Sequence, residues 1–382
     1  MSAPAARDKL LFTPGPLTTS ASVKQAMLRD AGSWHFEFNA LVASIRRRLL
    51  AIAELSQDEG WEAILLQGSG TYGVEAVFQT CVPRSGKVAV LANGAYGNRM
   101  AQALAQASID HVVLRTAENK PVEPEPLNAL LLADKAITHV AIVHCETTTG
   151  ILNPIESVGR VARSQDKVFV VDAMSSFGAV PIDFKRCGIH YLISSPNKCL
   201  EGVPGFCFVL CQRSALMSCE GQGRSLSLDL LAQLRAFETN GQFRYTPPTH
   251  AILAFDQALK EFESEGGVSA RGARYRANHQ VLCAGLAQLG LYPYLDPAVR
   301  SYLITAFPFP ADPRFSFDTF YRSLSERGFI IYPGKLTQVN TFRIGTIGRL
   351  FPSDLQQLVY AIGATLREMN SSSSVRSGIF GP

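Results

Sequence analysis

Charged residues are scarce in this chain. Asp, Glu, Lys and Arg make up 18% of its 382 residues, against about a quarter in ordinary globular domains. The net charge is only +4, and no stripe of Lys and Arg interleaved with aromatics occurs, which argues against nucleic acid as a partner. Long apolar runs are missing as well, since none reaches the roughly 20 residues that span a bilayer. The N-terminal Met1-Ser2-Ala3-Pro4 lacks a basic stretch followed by an apolar core, so no secretory leader is expected and the cytoplasm is the expected compartment. None of the eight cysteines forms a Cys-x-x-Cys pair, so zinc-ligand spacing is absent and no metal site is expected. Several cysteines, such as Cys207 and Cys211, sit inside apolar runs, which predicts buried reduced thiols rather than disulfides. The densest basic run, Arg46-Arg47-Arg48, lies in a helical pattern and is expected to be a solvated face.

What is abundant is apolar sequence, 47% of the chain, enough for one large core and a smaller one. Short β-branched runs at 63–66, 88–91, 111–114, 139–144, 168–171, 191–194 and 206–210 alternate with helical patterns such as 74–81, 99–107 and 155–165. The runs are nearly continuous, not alternating, so both faces of each strand are expected to be buried. This rhythm predicts an α/β fold: a mostly parallel seven-stranded sheet with helices on both faces. After Gln212 the rhythm changes. Helices are expected over 226–237 and 251–263, the second ended by Gly266-Gly267. From 268 onward the pattern is helix, strand, helix, strand, strand, helix, with 329–332 as one of the strands. The expected organisation is an N-terminal segment (1–20) near the active site, a large unit (21–265), a small C-terminal α+β unit (266–369) and a polar, disordered tail (370–382) containing four serines in a row.

Five features lie at the ends of predicted strands. Gly68-Ser69-Gly70-Thr71-Tyr72-Gly73 matches G-x-G-x-x-G. The dinucleotide fingerprint also wants an acidic residue about 20 positions later, and none occurs between Glu75 and Asp110. A glycine-rich turn opening a helix still suits a phosphate, because free N–H groups and the helix dipole favour an anion; a ligand-free tight turn is the alternative. Tyr96, among glycines in Asn93-Gly94-Ala95-Tyr96-Gly97, can stack on a flat ring or simply pack on its own loop. Thr147, Thr148 and Thr149 offer hydroxyls to a ligand or a cap to a helix. Asp172 and Lys198 end neighbouring apolar runs; taken singly, one reads equally as a helix cap and the other as a surface lysine. Together they supply a carboxylate able to hold a protonated ring nitrogen and an amine able to form a Schiff base. That is the protein's half of pyridoxal-phosphate chemistry. Parallel strands deliver their ends to one edge, which favours the joint reading. Arg343, between apolar neighbours, can grip an acid group with its planar fork or serve a structural ion pair.

The ordered set Gly68-Ser69-Gly70, Asn93-Gly94-Ala95-Tyr96-Gly97, Glu146-Thr147-Thr148-Thr149-Gly150, Val171-Asp172-Ala173-Met174-Ser175-Ser176-Phe177-Gly178 and Asn197-Lys198-Cys199 resembles the class V aminotransferases of pyridoxal-phosphate fold type I. Finer motifs are Leu11-Phe12-Thr13-Pro14-Gly15-Pro16-Leu17-Thr18, Cys199-Leu200-Glu201-Gly202-Val203-Pro204-Gly205, Ser225-Leu226-Ser227-Leu228-Asp229 and Tyr332-Pro333-Gly334-Lys335. These resemble the branch that moves an amino group from an aminophosphonate to a 2-oxo acid in phosphonate catabolism. Members that pair alanine or serine with glyoxylate share the cofactor residues and are separated only by those finer motifs. The resemblance implies that Lys198 carries pyridoxal 5'-phosphate and acts as base, and that Asp172 pairs with the ring nitrogen. It implies that Tyr96 stacks on the ring, that Ser69, Gly70 and Thr71 hold the phosphate, and that Thr148 lies near the ring's phenolic oxygen. It further implies that Thr246 reaches the phosphate of a neighbouring subunit in a homodimer, and that Arg343, Gly15 and Thr18 bind substrate. One departure stands out. The family usually carries an acidic residue after the tryptophan of Gly32-Ser33-Trp34, where this chain has His35.

Overall fold

The computed structural model describes residues 8–376. Seven strands form the large sheet: β1 (Trp61–Gln67), β2 (Lys87–Ala92), β3 (Asp110–Arg115), β4 (Ile137–Val143), β5 (Val168–Asp172), β6 (Tyr191–Ser194) and β7 (Phe206–Gln212), in the order β1-β7-β6-β5-β4-β2-β3. Neighbours are parallel except around β7, which runs antiparallel to β1 and β6. β1, β2, β4, β5 and β6 therefore all end at one edge. β1 is buried at every position from Trp61 to Leu66, and β7 from Phe206 to Cys211. Unbroken burial means cover on both faces, the mixed α/β architecture that continuous apolar runs predict.

The main helices are α1 (Phe36–Ile52), α2 (Gly70–Cys81), α3 (Ala95–Gln106), α4 (Ile155–Ser164), α5 (Leu230–Asn240), α6 (Thr249–Glu265), α7 (Gly267–Ala287), α8 (Phe317–Glu326) and α9 (Pro352–Arg376). α2 and α3 start directly at the ends of β1 and β2. α2 lies tight on the sheet because Gly73 has no side chain: a Cβ there would meet Ile193 Cγ2 at 2.7 Å. α5 begins later than the apolar pattern predicts. The Asp229 carboxylate accepts from Ala232 N at 2.9 Å and sets the start, a cap that competes with helix further upstream.

Three expectations are corrected by the fold. Arg46 is not part of a solvated face; it is buried, donates to the Ala63 carbonyl and pairs with Glu62 at 2.8 Å. Successive helical residues point about 100° apart, so one of three adjacent arginines must face inward. The strand expected over 329–332 is two short ones. Phe329–Ile330 pairs parallel with Leu10–Leu11, and β9 (Tyr332–Pro333) pairs with β10 (Thr341–Gly345), which also pairs with β8 (Ile304–Pro308). The N-terminal segment covers the first half, so the two halves have different partners. Finally, α9 continues to Arg376 through the serines at 371–374; serine costs a helix only about 0.5 kcal/mol per residue. Residues 377–382, also given to the tail, lie outside the described residues.

The large sheet carries one apolar core, running from Val23 to Phe262. A second joins Phe12 to residues of α7, α8, α9, β8 and β10. All eight cysteines are free and seven are buried. Among the described residues no helix is long and apolar enough to cross a membrane.

Candidate active site

Asp172 ends β5, the middle strand of the sheet, where it pairs with Val143 of β4 and Ile193 of β6. It is 5% exposed. Oδ1 accepts from Met174 N at 2.9 Å, and Oδ2 has no partner among the described residues. Burial raises its pKa to about 6, against the pull of Met174 N and of Lys198. Lys198 follows β6 on the turn Ser195–Asn197. Nζ donates to the Pro14 carbonyl at 2.6 Å. Burial, with repulsion from Arg343 and Lys335, lowers its pKa to about 8 despite the attraction of Asp172. An acid and a base are thus both moved toward neutrality, the condition proton transfer requires. Gly15 (φ +108°) lies against this lysine; a Cβ there would stand 2.7 Å from Lys198 Cδ and 2.9 Å from Nζ.

The Gly68 turn arrives from β1. Ser69 is the cap of α2, yet its hydroxyl makes no capping bond, so it leaves the first N–H groups of α2 without a side-chain acceptor from the cap. Gly70 lies against Met174, two residues past Asp172. Thr246 follows Tyr245 on a loop beside the same turn; Gln67 Nε2 donates to the Tyr245 and Thr246 carbonyls at 2.8 and 3.1 Å and holds it there. Thr148 does not stand free. Its hydroxyl accepts from Ala95 N at 2.9 Å and donates to Glu146 Oε1 at 2.6 Å. Thr18 is likewise engaged, its hydroxyl accepting from Leu11 N at 2.7 Å.

Glu146 received no role from sequence, yet it organises this edge. Wholly buried, it accepts from Thr148 N and Oγ1 and from Tyr96 N and Gly97 N of α3. It caps α3 and so places Tyr96. Gly94 makes room, since a Cβ there would stand 2.5 Å from Glu146 Cγ. Against the Tyr96 ring lie Arg99 Cζ at 4.9 Å and Lys335 Nζ at 5.4 Å. The Tyr96 hydroxyl lies close enough to Arg343 to stabilise its charge. Arg343, 1% exposed on β10, donates to Pro333 O at 3.0 Å and to Thr147 O at 2.8 Å. That second bond ties the small sheet to the edge of the large one.

A second cluster holds the Lys198 turn. Arg271 Nη1 donates to Cys199 O at 2.5 Å and Nε to Glu265 at 2.8 Å. Arg274 and Tyr275 both donate to Glu201, at 2.7 and 2.6 Å, and Glu201 N donates to Lys198 O. Sequence reasoning missed these residues as well. Their signal is the spacing: Arg271, Arg274 and Tyr275 share one face of α7 by the i, i+3, i+4 pattern.

The family model described as Aminotransferase class-V matches residues 20–339. The chain is a class V aminotransferase. It is 49% identical over 353 residues to a 2-aminoethylphosphonate–pyruvate transaminase of Syntrophobacter fumaroxidans, covering 92% of this chain and 95% of the relative. It is 49% identical over 358 residues to the Salmonella paratyphi C protein of the same name, covering 93% and 97%. Among solved structures, a ureidoglycine–glyoxylate aminotransferase from Bacillus subtilis superposes with a TM-score of 0.87 at 20% identity, covering 96% of this chain and 95% of that one. An alanine–glyoxylate aminotransferase from Nostoc sp. gives 0.87 at 24%, covering 96% and 97%. These structures show the shared fold.

The cofactor of class V aminotransferases is pyridoxal 5'-phosphate, and the residues of this aminotransferase fit it. The first turn of α2 receives no side-chain cap from Ser69, which leaves its N–H groups for an anion; the Asp172 carboxylate has one oxygen without a partner among the described residues; the Lys198 amine stands within reach of that carboxylate's field.

Proposed function

We propose that this aminotransferase moves the amino group of 2-aminoethylphosphonate to pyruvate, giving phosphonoacetaldehyde and L-alanine. What carries the reading is the full-length likeness to relatives of that name, joined to a buried arginine that reaches the edge where Lys198 and Asp172 stand. Bound pyridoxal phosphate supplies a carbonyl that captures the amine and a ring that draws electrons from its Cα. With the cofactor bound, neutral Lys198 would take the Cα proton on Nζ and then give it up again, serving as base and then as acid. Its pKa near 8 leaves a useful neutral fraction at physiological pH. Asp172, ionised above about pH 6, holds a proton on the ring nitrogen. Ser69, Gly70 and Thr71 receive the phosphate, Tyr96 packs on the ring, and Arg343 with Gly15 orients the donor and then pyruvate. Thr148 and Thr18 act through Glu146, α3 and the N-terminal segment, their hydroxyls being engaged there.

A homodimer belongs to the same reading. Trp34, Phe36, Tyr72, Leu226 and Tyr245 are exposed large apolar side chains, and Tyr72 and Tyr245 lie near the phosphate turn in sequence and through Gln67. Thr246 then serves the partner's phosphate. The two largest apolar clusters support units spanning 21–265 and 266–369, with a third, smaller cluster from Cys145, Ala179 and Cys199 to Tyr275, Leu303 and Ile347 packing the two together, and eight free thiols support the cytoplasm.

The test is a donor screen. Alanine should form from pyruvate with 2-aminoethylphosphonate and not with serine; the reverse pattern sinks the substrate assignment. Lys198→Ala should abolish turnover, and normal turnover would refute the site. Light scattering showing a monomer at working concentration would refute the dimer.

A further inference from the structure

Arg99, Lys335 and Arg343 converge on one tyrosine. Arg99 Cζ and Lys335 Nζ lie 4.9 and 5.4 Å from the Tyr96 ring centroid, and Arg343 lies close to the hydroxyl. Cations gathered within a few ångströms normally share carboxylates. Here neither Arg99 nor Lys335 has an ion-pair partner among the described residues, and Arg343 donates only to carbonyls and lies close to the Tyr96 hydroxyl. The nearby carboxylates are engaged elsewhere. Glu146 is sunk in the cap of α3, accepting from Thr148, Tyr96 and Gly97. Asp172 faces Met174 N and Lys198.

Three positive groups with no carboxylate in contact among the described residues, offset only by the longer-range fields of Glu146 and Asp172, repel one another unless an anion joins them. A carboxylate needs one cation. A phosphonate near neutral pH carries close to two negative charges and three acceptor oxygens, as phosphate monoesters do, and needs two. Arg343 is fixed: it is buried on β10 and bonded to Pro333 and Thr147. Lys335 is different. It follows Gly334 on the loop between β9 and β10, it is exposed, and its ammonium rides a flexible four-carbon stem. It can leave the ring for an anion held by Arg343.

We propose that Lys335 reads the second negative charge of the donor's acid group, so that Arg343 alone serves the carboxylate of pyruvate while Arg343 and Lys335 together serve the phosphonate. This rests on the aminophosphonate reading of the substrate. It makes Lys335 the residue that separates this enzyme from aminotransferases whose donors are carboxylates.

Calorimetric titration of the holoenzyme with ethylphosphonate and with propionate, at pH 8.5, tests it without relying on turnover. In Lys335→Met, ethylphosphonate should bind at least 10-fold more weakly, while propionate changes less than 2-fold; Lys335→Arg should restore most of the loss. Equal weakening of both anions, or no weakening of either, overturns the proposal. An outcome in which wild type turns over 2-aminoethylphosphonate, yet Lys335→Met binds ethylphosphonate normally, defeats this inference alone. If wild type ignores 2-aminoethylphosphonate as donor, the substrate reading fails on separate grounds.

Discussion

Two groups of cations neighbour Lys198. Arg271 and Arg274 meet Glu201 and Glu265 in ion pairs of 2.7–3.5 Å, with Tyr275 and the Cys199 carbonyl completing the set. Arg99, Lys335 and Arg343 gather on Tyr96 with no ion pair at all among the described residues. The first group is balanced, buried and turned inward, so its work is to hold the turn that carries Lys198. The second is unbalanced and keeps donors available, so its work awaits a ligand. Burial alone does not distinguish them, for Arg271 and Arg343 are 0% and 1% exposed. Charge balance does: Glu201 and Glu265 neutralise Arg271 and Arg274 within the protein, so the pair attracts an anion far less even though Arg271 Nη2 has no hydrogen-bond partner among the described residues.

If the division is real, single substitutions in the two groups should have opposite consequences. Arg343→Leu should cut kcat/KM for 2-aminoethylphosphonate by about 10³-fold, roughly 4 kcal/mol, while urea unfolding falls only by the roughly 1–2 kcal/mol of the Pro333 and Thr147 carbonyls left without their donor. A large stability loss there would place Arg343 with the structural group. Arg271→Met should do the reverse, lowering stability by about 3 kcal/mol because Glu265 and the Cys199 carbonyl lose a buried partner; unchanged unfolding would contradict the division.

Lys198, between the two groups, gives a finer test. Its folded pKa, about 8, lies below the ordinary 10.5. The unfolded chain therefore binds more protons between those values, and the lysine's cost to stability is full below pH 8 and fades as pH rises to 10.5. In the apoprotein, Lys198→Met should gain about 2 kcal/mol at pH 7, after allowance for partial exposure, and nothing at pH 10.5; a gain independent of pH would remove the electrostatic cause. Tyr96→Phe has the smallest expected effect, a loss of about 1 kcal/mol in donor binding from the missing hydroxyl beside Arg343. A melting temperature lowered along with it would mean that Tyr96 is structural.

Much of the fold and of the site is legible in the residue order. β-branched runs without alternation announce buried parallel strands, and seven strands appear where the runs lie. The strand ends name Asp172, Lys198 and the Gly68 turn. Other parts are hidden by identity of composition: Arg46 reads like Arg47, and only helical phase turns it onto Glu62. Phe329–Tyr332 reads as one strand, and only the arrival of Leu10–Leu11 divides it. Glu146 stands beside the threonines in sequence, but its four donors come from its own loop and from α3, some fifty residues away.

The amino-acid order was enough for the sheet and the family, and for proposing which residues hold the cofactor, because periodicity and strand-end motifs are local and each strand carries its own. Only the tertiary structure decided which cations pair and which remain open, because that depends on carboxylates brought from distant segments: Glu201 and Glu265 to the arginines of α7, and, among the described residues, none to Lys335.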